Sequence, residues 1–491
     1  MIRTAVLKLI FRISIAQFLL ALSLSSSAQT ASINAGTVNQ QIDGFGGQTW
    51  QFGDSITGAD NARFFTAASG IGLNIVRTAN TWDGGVPDLP TLQAAVANGA
   101  SVELSLQSPP CSLKHSYLEL GENCSQSGDN GGQPDAFNDG TVSSNGTCFT
   151  SSQALSASYS AYATYIVDYI KTLQGAPNNL PITYLDVQNE PNLPGSSNSN
   201  GLGTCGWTTG AQFDAFIGTY LGPALANAGL GSIKIIFASN SNWFNFGSGG
   251  STDYTSACLN DSTCAQYVSI TAAHCYYASF PFNPPYSSYT PAAYALPASK
   301  GKHLWLSECS DNVNAYDPSM TEALLMATNM HYFLTSMQVS AYEWWELAYG
   351  TGGTGNYGLT DPSYNPSKLY YVMGNWSKFV HAGWVAIGAT ANPQSGVYVS
   401  AFENRSSGAF AIVAINTNSG SVTQPFSLSG LSTGSVTPYV TDPNNDLASQ
   451  PAVAVANSSF TASLNGSSVT TFTGAGTAPP PPTNLTGTVI Q

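Results

Sequence analysis

Charge is scarce in this chain. Only 8% of its 491 residues are Asp, Glu, Lys or Arg, and 13 basic residues face 27 acidic ones, a net charge of −14. That balance speaks against a nucleic-acid partner, because no basic stripe is available to neutralise phosphates, and acidic polymers would be repelled as well. Metal-ligand patterns are missing too. Neither CxxC nor HExxH occurs, and His115, His274, His303, His331 and His381 show no ligand spacing, so neither a metal nor another cofactor is expected. The glycine-rich Ile42 to Gly47 lacks the GxGxxG spacing of a dinucleotide loop and reads as a tight entry into a strand. Long apolar runs are confined to the N-terminus, where Ile13 to Leu24 follows Arg3, Lys8 and Arg12 and precedes Ser26-Ser27-Ala28. That run is short for a hydrocarbon core of about 30 Å and ends in small residues, so residues 1–28 read as a secretory signal peptide in preference to a membrane anchor. The expected product is secreted to an extracellular or periplasmic space, is not held at a membrane after cleavage, and is a monomer.

What is present fits that compartment. Hydrophobic residues make up 43% of the chain, enough for a substantial core, while abundant Gly, Ser, Asn and Thr give a neutral polar surface suited to neutral ligands. Eight cysteines in an exported chain point to disulfides. Cys258 and Cys264 are close enough in sequence to pair. Cys111, Cys124, Cys148 and Cys205 fall in or beside two long loops, and their connectivity is open. Cys275 and Cys309 read equally as a bridge between neighbouring strand ends or as two buried thiols.

Strand-like runs alternate with helix-like segments along most of the chain. The strands are a first segment near Gly46 to Gln51, then Leu73 to Thr78, Val102 to Leu106, Ile182 to Val187, Ile233 to Ala238, Val268 to His274, Leu304 to Ser307 and Val339 to Trp345. Helical spacing recurs in Gln153 to Leu173, Gln212 to Ala228, Met320 to Met337 and Tyr370 to Val380. Such units predict an α/β fold, a (β/α)8 TIM barrel over residues 44–382. From 383 to 475 short alternating runs separated by Asn, Gly and Ser turns predict a β-sandwich side domain. Residues 29–43 supply an early strand that would otherwise be an unpaired edge and is expected to join that sandwich. Residues 476–491 form a Pro-rich linker and tail.

Within this frame Leu185 to Asn192, LDVQNEPN, ends a strand and breaks at Pro191, so Glu190 stands where catalytic groups of such barrels collect. A second run, His303 to Ser310, ends in Ser307-Glu308. Two strand-end glutamates suit glycoside hydrolysis, in which one carboxyl donates a proton and the other attacks or activates water.

The ordered set IDGFGG, IVRT (Ile75 to Thr78), SPP (Ser108 to Pro110), VQNEPN (Val187 to Asn192), AHCY (Ala273 to Tyr276), WLSE (Trp305 to Glu308), Trp344-Trp345 and NWSKFVHAGW (Asn375 to Trp384) resembles glycoside hydrolase family 30 from about residue 40 to 475. The resemblance implies a barrel with a β-sandwich built from both chain ends, Glu190 as acid/base, Glu308 as nucleophile, and a polysaccharide or oligosaccharide substrate cleaved with retention. Retention requires the two carboxyl groups about 5–5.5 Å apart. Asn189 is expected on the sugar 2-hydroxyl, Arg77 beside Glu308, His274 and Tyr276 at the sugar or the nucleophile, and Trp345 under the cleaved residue. Trp207 is a candidate second wall, with Trp82 and Trp243 as further aromatic candidates. Glu343 and Glu346, flanking the tryptophans, are read as structural or hydroxyl-binding groups. Two departures bear on specificity: Cys111 stands where an aromatic residue commonly follows Ser-Pro-Pro, and Glu346 to Thr354 holds no arginine to grip a uronic acid. The expected activity is an endo-β-1,4-xylanase without uronic-acid dependence. Endo-β-1,6-glucanase, β-1,6-galactanase and exo-acting glucosidase, xylosidase or fucosidase are the alternatives, and an inactive carbohydrate-binding protein is the alternative of another class.

Overall fold

The structure is a computed structural model that describes residues 29–49, 56–79, 88–106, 154–192, 207, 209–243, 253–276, 293–310, 317–348 and 358–476. The first strand, β1 (Ala31–Gln41), precedes eight strands that close into a parallel barrel. These are β2 (Gly44–Gln48), β3 (Ile75–Ala79), β4 (Ser101–Ser105), β5 (Ile182–Asp186), β6 (Lys234–Asn240), β7 (Val268–His274), β8 (His303–Glu308) and β9 (Ala341–Trp344). Both faces of such strands are covered, one by helices and one by the lumen, which is why the runs read as nearly continuous apolar segments. Entry into the barrel is tight. A side chain at Gly44, whose φ is 149°, would collide with Asn74, which bonds Phe45 N and Asp43 O, and one at Gly46 would sit 2.6 Å from the Ile75 carbonyl oxygen.

Period-two alternation sorts the lumen into layers. Ile75, Tyr184, Ile236, Ile270, Ala272, Trp305 and Ala341 form one apolar layer. Two residues further along β3, β5, β7 and β9 stand Arg77, Asp186, His274 and Glu343, so polar chemistry begins one step above the apolar floor. Below that floor Asp43 Oδ2 accepts from Trp305 Nε1 at 2.6 Å and lies 2.6 Å from His303 Nδ1, closing the amino end of the barrel.

The helices Ala154–Gln174, Met320–Thr335 and Lys368–Ser377 lie where helical spacing placed them. Ser319 and Ser367 cap the last two by accepting from Thr321 N and Leu369 N. One helix differs. The segment read as continuous from Gln212 is capped by Thr209 and runs Gly210–Ala215, then a π-helical turn Phe216–Leu221, then Gly222–Asn227. Pro223 has no N–H to donate, so the ladder is interrupted before it and the turn widens.

The remaining strands, β10 (Val385–Ala389), β11 (Val397–Glu403), β12 (Phe410–Asn416), β13 (Val422–Ser429), β14 (Ser435–Asp442), β15 (Asn445–Ser449), β16 (Val453–Ala454), β17 (Ser459–Leu464) and β18 (Ser468–Gly474), build the side domain with β1. They form one curled sheet in the order β15-β14-β18-β12-β11-β10-β1-β13-β17, with β16 on β14. Strand β1 pairs antiparallel with β10 and parallel with β13. β12 is buried along its whole length because its two faces serve two cores: Ala411, Val413 and Ile415 pack toward the barrel helices, Phe410, Ile412 and Ala414 into the sandwich. Asn375, fully buried on helix Lys368–Ser377, joins the two by donating to Tyr439 O and Thr471 Oγ1 and accepting from Thr441 Oγ1. Among the described residues no helix is long and apolar enough to cross a membrane.

Candidate active site

At the carboxyl ends of β5, β7 and β8 the chain brings Glu190, His274 and Glu308 together. One side-chain ligand atom of each lies within 4.8 Å of the others, so the two carboxyl groups approach closely. An approach this close between carboxyl oxygens suits the ~5–5.5 Å carboxyl separation of retaining glycosidases better than the ~6.5–9.5 Å that an inverting enzyme keeps open for water. Glu190 holds its place through the backbone. Asn189 N donates to Leu106 O at 2.7 Å and Glu190 N to Ser239 O at 2.9 Å, tying the turn to strands on either side. Glu190 itself has φ of 45°, a left-handed conformation that costs a non-glycine residue about 1–2 kcal/mol. The strain falls just past the end of β5, where the bonds to Leu106 and Ser239 fix the backbone.

The two glutamates sit in different electrostatic settings. Burial pushes the Glu190 carboxyl up to about 7, against the lowering pull of Arg77. Glu308 instead accepts directly from Arg77 Nη1. His274 Nδ1 is 2.9 Å from Glu190 Oε1 and 3.6 Å from Glu308 Oε1. Burial lowers its imidazole to about 4, although the Glu308 charge pulls the other way, so it stands between the carboxyls as a neutral ring. Tyr276 lies at the same rim, its hydroxyl 3.2 Å from Ser310 Oγ and close enough to Glu308 to feel its charge. Burial raises that phenol well above its ordinary value, with the Glu308 charge adding to the effect, so it stays neutral and able to donate.

Arg77 is the hub. It is 1% exposed, and its Nη1 serves Glu308, its Nη2 donates to Asn189 Oδ1 at 2.7 Å and Ser105 Oγ at 3.0 Å, and its Nε donates to Glu103 Oε1 at 3.2 Å. Burial by itself would discharge the guanidinium, but Glu308, Glu103 and Asp186 outweigh that and raise its pKa further. Because Asn189 Oδ1 is committed to Arg77, its amide NH2 is the part of the side chain left to donate. Cys275 and Cys309, each one residue past His274 and Glu308, form a disulfide between the strand ends, and Cys275 N donates to Glu308 O at 3.1 Å. Cys258 pairs with Cys264.

A matching description, "Glycosyl hydrolase family 30 TIM-barrel domain", spans residues 134–353, both glutamates included. Over these residues the barrel resembles that of glycoside hydrolase family 30. It is 26% identical over 465 residues, 91% of this chain and 92% of the relative, to the glucuronoxylanase XynC of Bacillus subtilis. A crystal structure of a family 30 subfamily 8 xylanase from Clostridium acetobutylicum is 28% identical, with a TM-score of 0.68 and coverage of 91% of this chain and 99% of that one. An endo-β-1,6-glucanase, 20% identical with a TM-score of 0.61 and coverage of 91% and 95%, shares the fold. The protein is thus a glycoside hydrolase.

Not every predicted residue of this hydrolase reaches the site. Trp345 does stand beside it: half-buried at the end of β9, it donates its backbone N–H at 2.9 Å to the carbonyl oxygen of Cys309, the residue after Glu308. Trp207 does not. It is 5% exposed and stacked on Phe213 at 4.6 Å between centroids, with Tyr159 and Phe216 against it, so its faces are spent on the helix core and the expected sugar wall is corrected to core packing. Trp243 is likewise 4% exposed and packed edge-on against Phe333, which leaves no open face for a sugar. Trp82, Cys111, Cys124, Cys148 and Cys205 lie outside the described residues, as does the loop from 349 to 357. Glu103 and Asp186, fully buried, were missed by the sequence reading, and Glu343 was read only as a flanking group. The available signal was the alternation Val102-Glu103-Leu104-Ser105, which puts two polar groups on one face of a strand buried on both.

A metal is poorly suited to Glu190, His274 and Glu308, close as their donor atoms are, because Arg77 already brings its positive charge onto Glu308. The other cluster with metal-like spacing among the described residues is Asp214 with Cys258 and Cys264, whose sulfurs are committed to a disulfide.

Proposed function

We propose that the protein is a secreted, retaining endo-β-1,4-xylanase that needs no uronic-acid side group. The observation that carries the mechanism is the close approach of Glu190 and Glu308, one carboxyl raised to about 7 by burial and the other held on a guanidinium. In the first step the Glu308 carboxylate attacks the anomeric carbon as the glycosidic C–O bond breaks, and Glu190 gives its proton to the leaving oxygen. In the second, Glu190 takes a proton from water, the water oxygen attacks the same carbon, and Glu308 leaves as a carboxylate. Asn189, pinned by Arg77, offers its amide to the 2-hydroxyl, and Trp345 offers a face to the sugar ring.

The xylan assignment is supported by two relatives at 26–28% identity that are named as a glucuronoxylanase and a xylanase. Independence from a uronic acid is supported by charge. Among the described residues Arg77 is the cation at the carboxyl ends of the barrel strands; Lys234 and Lys302 lie at strand starts, Lys368 pairs with Asp446, and residues 346–358 contain no Lys or Arg. Residues 1–28 and the disulfides support export. The test is a product profile on arabinoxylan, glucuronoxylan, β-1,6-glucan and β-1,6-galactan, with Glu308→Ala as blank. Xylo-oligosaccharide ladders from both xylans are expected. Products from glucuronoxylan alone, or only from a β-1,6-linked polymer, would overturn the substrate reading.

A further inference from the structure

The layer beneath the two glutamates holds more carboxyl groups than its single cation can balance. Arg77 on β3 is surrounded by Glu103 on β4, Asp186 on β5, Glu343 on β9 and Glu308 on β8, with His274 on β7 and the Tyr184 phenol on β5 also near. Glu103, Asp186 and Glu343 are 0–1% exposed, so water does not screen them. Arg77 Nε is bonded to Glu103, and Ser105 Oγ donates to Asp186 Oδ2 at 2.8 Å, but neither oxygen of Glu343 receives an N–H or hydroxyl donor among the described residues. What meets Glu343 across the lumen is the carboxyl of Glu103, in hydrogen-bond contact. Two ionised carboxylates only accept, so that contact requires a proton.

We propose that Glu343 is a positioning residue: it carries a proton, donates it in a hydrogen bond to Glu103, and so holds Glu103 on Arg77 Nε and aims the other arms of the guanidinium at Glu308 and Asn189. Burial raises both members of the pair above the ordinary carboxyl range, and because Glu103 accepts from Arg77 Nε while Glu343 receives no donor among the described residues, the proton belongs on Glu343. The neutral member therefore sits furthest from the guanidinium contact. The inference rests on Glu308 being the nucleophile, because what Glu343 contributes is the direction of the charge that faces it.

The test compares Glu343→Gln, which keeps a donor of the same shape, with Glu343→Leu, which keeps volume but donates nothing, in the full chain with folding checked by thermal unfolding. On xylan, Glu343→Gln is expected to keep kcat within about threefold of wild type from pH 5 to 8, since a neutral hydrogen bond is replaced by another. Glu343→Leu is expected to lose about 100-fold in kcat, the scale of a misaligned catalytic group, with KM changed far less. Infrared difference spectra supply the independent signature. In a Glu190→Gln background above pH 7, a protonated-carboxyl C=O stretch should remain, and adding Glu343→Gln should remove it. A Glu343→Gln variant as impaired as Glu343→Leu, a fully active Glu343→Leu, or no protonated-carboxyl band would each overturn the proposal while Glu308→Ala stays inactive. An active Glu308→Ala would instead remove the catalytic frame on which it rests.

Discussion

Glu190 offers the sharpest test, because its burial fixes both the pH at which it works and the cost of losing it. A carboxyl with its pKa near 7 is about nine-tenths protonated at pH 6, whereas at the ordinary 4.5 it would be about 3% protonated. The difference corresponds to about 3 kcal/mol of interaction disfavouring the charged form, at 1.36 kcal/mol per unit. Because the acid form is the one required for leaving-group protonation, kcat/KM should be level up to about pH 6 and fall above pH 7 with a slope of one. Glu190→Gln removes the proton donor without changing shape. On xylan, whose leaving group is poor, the loss should be about 10²–10⁴-fold, as for other general acids. On an aryl β-xyloside with a strongly acidic phenol, glycosylation should be nearly unaffected, the alkaline limb should vanish, and turnover should stall at deglycosylation until azide is added. The assay is kcat/KM from pH 4 to 9 for both substrates. If the alkaline limb persists unchanged in Glu190→Gln, or if the loss is the same for both leaving groups, Glu190 is not the acid and the reasoning from its burial fails.

Further outcomes follow from the same geometry. Glu308→Ala should lose several orders of magnitude in turnover, and azide should restore activity with an inverted glycosyl azide as product, identifiable by NMR. Arg77→Met should both inactivate the enzyme and lower stability in urea by about 3–5 kcal/mol, since Glu103, Asp186 and Glu308 lose their shared cation; Arg77→Lys should not rescue it, because an ammonium lacks the fork that reaches Glu308, Asn189 and Glu103 together. Replacing Cys275 and Cys309 with Ala should cost about 2–4 kcal/mol and lower kcat, readable by denaturant melts and kinetics, because the bridge spans 34 residues and joins the ends of β7 and β8. His303 is raised by its hydrogen bond to Asp43, so its stabilising effect is complete below about pH 6.5 and lost as pH rises through the higher folded value. The thermal midpoint should therefore decline from pH 6 to 8 in the wild type, and His303→Gln should flatten that slope.

The sequence by itself determined the barrel, because parallel strands buried on two faces leave a nearly continuous apolar run ended by polar loop residues, and that signature recurs through Leu304 to Ser307 and Val339 to Trp345. It determined Glu190 and Glu308 as the pair to watch, since each follows such a run at the strand end. Tertiary structure decided which of the remaining polar and aromatic groups join them. Trp207 and Trp345 look alike in sequence, each a tryptophan after a strand, but only packing reveals that Phe213 covers the first while the second keeps part of its surface exposed. Whether Cys275 and Cys309 meet depends on β7 and β8 being neighbours in the closed sheet. The charged layer was the least legible. Glu103 and Glu343 are far apart in the chain and on strands that do not pair, and they meet only because closing the barrel points both into one lumen where a single arginine must serve them all.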